Sequence, residues 1–61
     1  MIKVDITGKT LKEAVEIVEA AGGTVRVTSR DGEHYVSTRD YRVDRVNVHL
    51  VGGLVTRHTV G

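Results

Sequence analysis

A chain of 61 residues makes one small domain, and a domain of that size buries only about 60% of the surface its unfolded form exposes. There is no cysteine, no proline, no Phe and no Trp, so the core has to come from aliphatics, Val above all, without a disulfide to help. Nine Lys and Arg against eight Asp and Glu leave a net charge of +1, which argues against nucleic acid or a membrane surface held by bulk electrostatics.

Too little chain is present to wall a deep pocket, so a small binding module is the natural class and an enzyme is not expected. No apolar stretch is long enough to span a membrane, and no signal peptide opens the chain. The absence of cysteine fits any compartment.

Ile2, Val4 and Ile6 alternate with Lys3, Asp5 and Thr7, which reads as a short strand or extended lead-in ended by Gly8. Thr10 followed by Glu13 is a capping box, in which each residue satisfies a backbone N–H of the other. Leu11, Ala14, Val15, Val18 and Ala21 then fall on one helical stripe, with Ile17 at its edge and Lys12, Glu13, Glu16 and Glu19 opposite. The spacing predicts a helix over 11–21, stopped by Gly22 and Gly23, one of them left-handed.

Thr24 to Thr28 reads as a strand with Val25 and Val27 on one face. The polar stretch Ser29 to Arg42, with a turn signal at Asp31-Gly32, reads as a long connection, and connections of that length are functional or disordered. Val43 to Val51 alternates again, with Val46, Val48 and Leu50 on one face and Arg45, Asn47 and His49 on the other. Gly52-Gly53 marks a tight hairpin, and Leu54 to Val60 is the return strand. A two-residue turn pairs Leu50 with Val55 and places Arg57 on the valine face. A three-residue turn pairs Leu50 with Leu54 and avoids that buried charge, so it is favoured. The expected fold is α+β: one domain over residues 1–61, with one helix packed on a small mixed β-sheet and a long exposed loop.

Gly8-Lys9-Thr10 lacks the earlier glycine of a phosphate loop, since Lys3 stands there, and is better read as a helix cap. His34, His49 and His58 have no metal-ligand spacing, and His49 and His58 are expected on opposite sides of the sheet, so neither a metal nor a cofactor is expected. Ser29, Ser37 and His34 have nothing to fix them in a water-excluded pocket for nucleophilic chemistry. The segment from Val36 to Arg42 contains no glycine, and Thr38, Asp40, Arg42 and Arg45 have the chemistry to brace one another.

Thr38-Arg39-Asp40 followed by Tyr41-Arg42-Val43-Asp44-Arg45-Val46 resembles the reactive loop and following strand of the potato inhibitor I family of serine protease inhibitors. Gly8-Lys9-Thr10 with Glu13-Ala14 is similar to that family's helix start, and Val60-Gly61 to its end; the resemblance runs from about residue 6 to residue 61. It implies a reactive loop of Val36, Ser37, Thr38, Arg39, Asp40, Tyr41 and Arg42, with the scissile bond between Arg39 and Asp40. It also implies support from beneath by Arg45 and, at the second supporting position, Asn47. The implied partner is a trypsin-like or subtilisin-like serine protease, with the inhibitor a monomer, secreted or extracellular. The alternatives are a designed or divergent scaffold of the same fold without inhibitory activity, and a small protein-interaction module working through the sheet edge.

Overall fold

A computed structural model describes residues 2–35 and 40–61. Its elements are α1 (Leu11–Ala20), β1 (Thr24–Arg30), β2 (Glu33–His34), β3 (Arg45–Val51) and β4 (Leu54–Val60). The strands form one sheet in the order β2-β1-β3-β4, with β1 and β3 parallel and the other neighbours antiparallel. This is the expected small α+β fold, one helix on a mixed sheet.

The helix starts where its capping box directs. The Glu13 N–H donates to Thr10 Oγ1 at 3.2 Å, and the Thr10 N–H donates to Glu13 Oε1 at 3.4 Å. It ends one residue before the expected position: Ala21 is the C-cap and is exposed, and Gly22 follows at φ +86°. The buried stripe is narrower than the periodicity suggested. Ala14 and Val18 are fully buried and Leu11 and Ile17 pack beside them, so Ile17 contributes more than its edge position implied.

Ile2 to Ile6 is not a strand. The Ile2 N–H donates to Val43 O near the start of β3, whereas the Gly8 N–H donates to Val55 O in β4. The segment therefore crosses beneath the sheet rather than running alongside one strand. Its alternation serves packing: Ile6 is fully buried, and Ile2 and Val4 pack against the core. The remaining core is Val46, Val48, Leu50 and Val55, with Val25 and Val27 only half-buried at its margin rather than central. Ile6 and Val55 were not among the residues whose pattern pointed inward.

The polar stretch after Thr28 is partly ordered β-structure. β1 continues to Arg30, Asp31 takes φ 51°, and β2 returns with Arg30 opposite Glu33 and Ser29 opposite His34. The Asp31 carboxylate accepts from the Gly52 N–H at 2.8 Å and so pins this turn to the β3–β4 turn. Positions 31 to 44 have to be long in any case, because two parallel neighbours cannot be joined by a hairpin. β3 starts at Arg45 rather than Val43, which is exposed.

The last hairpin has the disfavoured register at its turn and the favoured outcome for its charge. Leu50 pairs with Val55 across a two-residue turn, but His49 pairs with Arg57. Thr56 is therefore a bulge residue, and it returns Arg57 to the outer face. A second bulge lies between β1 and β3, where Val27 pairs with Val48 and Ser29 with His49, leaving Thr28 extra.

Candidate functional site

The helix and the lead-in cover the inner face of the sheet, leaving an outer face of polar side chains in cross-strand rows. At one end Thr24 is beside Arg45, and the Gly61 N–H donates to Arg45 O. In the middle Arg26, Asn47 and Thr59 are aligned. At the far end His34, Ser29, His49 and Arg57 form a row through all four strands.

The expected loop support is centred on Arg45. Its Nη2 donates to Asp40 O at 2.6 Å, and its Nη1 is 3.5 Å from the Asp40 carboxylate. Nε and Nη2 both donate to Gly61 O, at 3.1 and 3.0 Å. One guanidinium therefore joins the end of the loop to the end of β4, and only 12% of the side chain is exposed. The carboxylate half of the contact is open to water and adds little; the backbone carbonyls carry the tether.

The other expected braces are arranged differently. Arg42 pairs with Asp44 at 3.6 Å, on the surface. Asn47 is buried on the outer face, and its amide oxygen accepts from Arg26 Nε at 2.8 Å. Tyr41 is 62% exposed overall, yet one edge of its ring lies against Gly61, where a Cβ would stand 3.4 Å from it and 3.6 Å from Asn47 Nδ2. Val36, Ser37, Thr38 and Arg39 lie outside the described residues, so the scissile position and the four-residue run leading to it do as well.

The far row was not foreseen as a unit. Ser29 Oγ is 2.8 Å from His49 Nδ1, and Arg57 Nη2 is 3.3 Å from His49 Nε2. An arginine only donates, so Nε2 is the acceptor and the neutral ring carries its proton on Nδ1, directed at Ser29. That tautomer points the wrong way for His49 to take a proton from Ser29. Burial first, then the charges of Arg57 and His34, hold the His49 imidazole below its ordinary pKa. Alternation had placed His49 on this face, but Ser29 sits beyond the residues whose pattern read as strand. His58 is on the opposite side, as expected, with Nε2 4.0 Å from Asp5 Oδ1.

Among the described residues no group of three or more His, Asp or Glu is placed to hold a metal ion, and no pocket is enclosed. No helix among them is long and apolar enough to cross a membrane. Neither a protein family, nor a curated protein, nor a solved structure matches this chain.

Proposed function

We propose that this chain is a serine protease inhibitor of the potato inhibitor I type, acting through a substrate-like loop with Arg39-Asp40 at its centre. The observation that supports this reading is the tether from Arg45 to Asp40 O. A substrate loop is cut because its new amine departs. A loop whose Asp40 side is fastened to the sheet keeps that amine in place, so the peptide bond re-forms and the protease stays blocked. The tether also removes chain entropy before binding, and preorganisation of this kind is a main source of affinity in tight complexes.

In this reading Arg39 enters the primary pocket of a trypsin-like enzyme, where a carboxylate at the base forms a charge-assisted pair with the guanidinium. An apolar pocket would have to desolvate the charge without a partner. Subtilisin-like enzymes, with a more open pocket, bind less tightly. The inhibitor acts as a monomer and as a protein ligand of the protease, in an extracellular setting.

Titration against trypsin and subtilisin tests this. Arg39→Leu should shift preference from trypsin toward subtilisin by at least about tenfold, since one lost pair of about 1.4 kcal/mol has that effect. Arg39→Ala should lose trypsin inhibition. Parent-like inhibition of trypsin by both variants would remove Arg39 from the centre of the mechanism.

A scaffold of the same shape without inhibitory activity is the second reading. It is favoured by one contact: the Asn47 amide oxygen, at the second supporting position, accepts from Arg26 on β1. Under that reading the parent inhibits neither protease and is cut after Arg39.

A further inference from the structure

We propose that the row His34–Ser29–His49–Arg57 is an acid-sensitive latch that holds the sheet together where its hydrogen-bond ladders are interrupted. The inference concerns the loop-distal end of the sheet and stands apart from protease inhibition.

Its basis is the position of His49. On the β1 side the pairing slips between Val27 and Ser29, opposite Val48 and His49. On the β4 side it slips between His49 and Leu50, opposite Thr56. Both neighbours of β3 are thus bulged beside the same residue, and a bulge leaves part of the ladder unpaired. His49 spans both breaks: its ring bonds Ser29 on β1 and Arg57 on β4, and its carbonyl accepts from Thr56 Oγ1 at 3.2 Å. Side-chain bonds here take over part of the cross-linking that the backbone gives up.

This arrangement requires a neutral ring. Protonation at Nε2 removes the lone pair that accepts from Arg57 and turns the contact into donor against donor. It also adds a charge to a face that is already basic. Directly across from His49 are Ser29 on β1 and Arg57 on β4; His34 on β2 lies beyond Ser29 in the same row, and Arg26 on β1 is opposite Asn47 in the next row, with Arg45 further along the same strand as His49. The two side chains whose charges act on it, Arg57 first and then His34, both oppose a further positive charge on the ring.

The sign follows by linkage. A histidine whose folded pKa lies below its unfolded value leaves the unfolded chain binding more protons near that pH. The stability it contributes is complete above the unfolded pKa, about 6.5, and falls away as the pH drops through that value and then through the lower folded one. Acid therefore loosens the β1–β3–β4 seam at this end first.

The test is an NMR titration of the three histidine rings between pH 8 and pH 4, with urea unfolding at pH 7.5 and pH 5. The His49 resonances should report the Nδ1–H tautomer at high pH and titrate below the ordinary histidine value of about 6.5. In Arg57→Ala, an exposed position, the His49 midpoint should move up. The parent should lose more stability between the two pH values than His49→Gln does. A midpoint for His49 at or above about 6.5, an Nε2–H tautomer, or a midpoint unmoved by Arg57→Ala would each overturn the latch. If His49→Gln does not fold, the tautomer and the Arg57→Ala shift decide the matter alone.

Discussion

The two faces of β3 are built from one alternating segment and are held by different physics. Val46, Val48 and Leu50 point inward and are fully buried against α1 and the lead-in. Their contribution is area removed from water, which depends little on the angle at which neighbours meet. Arg45, Asn47 and His49 point outward, and each is fastened to a specific atom of another segment: Asp40 O and Gly61 O, Arg26 Nε, Ser29 Oγ. The inner face determines that a sheet forms. The outer face determines how the loop and the neighbouring strands are aligned on it.

Truncation on the inner face should produce the largest loss. Val48→Ala removes two methyl groups from a fully buried position. The cavity it leaves has few neighbours able to close it, and a cost of about 2 kcal/mol is expected. For a domain this small that is a large fraction of total stability. Urea unfolding should show the midpoint fall with the slope unchanged. A loss under about 0.5 kcal/mol would mean that the inner face is not close-packed, and the contrast between the faces would disappear.

The inner face was legible in the sequence because its signals are local or periodic. Thr10 and Glu13 are three residues apart and cap each other, and Val46, Val48 and Leu50 follow the pleat. What could not be read was set by partners far along the chain. The lead-in alternates like a strand, but no feature of Ile2 to Ile6 says whether a strand runs beside it. Thr28 and Thr56 are threonines within strand-like segments, and neither carries a mark of being a bulge. That is why the Leu50–Val55 pairing and an outward Arg57 looked incompatible. β2 is two polar residues, too short for any period. Of the candidate site, the approach of Arg45 to Asp40 was readable from charge and closeness in sequence, whereas the Asp40 and Gly61 carbonyls that carry the tether were not, since a backbone atom has no side-chain signature.

On the outer face, Arg45→Ala should affect the loop more than the fold. The variant loses both carbonyl contacts, but Asp40 is exposed and its carbonyl can turn to water. A stability loss of about 1 kcal/mol is expected, with helical signal retained. On the inhibitor reading the larger effect is kinetic: trypsin should cut after Arg39 several-fold faster, since the Asp40 amine is no longer held where the peptide bond can re-form. Equal hydrolysis rates in parent and variant would show that the outer-face contact aligns nothing.

The smallest effect should come from the place where the two faces slip out of register. Thr28 is the extra residue of the β1 bulge, and its hydroxyl is buried without a hydrogen-bond partner among the described residues. A buried hydroxyl in that state costs stability relative to a methyl group of the same shape. Thr28→Val keeps the β-branch, and with it the preferred side-chain rotamers and the strand tendency. The Thr28 carbonyl continues to accept from the Tyr35 N–H, because the substitution leaves the backbone untouched. The variant should therefore be more stable by about 0.5–1 kcal/mol, read as a higher urea midpoint with an unchanged slope. A lower midpoint would mean that the hydroxyl is satisfied in solution by a bound water. The bulge would then belong with the outer face, held by a directed bond, rather than with the inner face, where shape and area suffice.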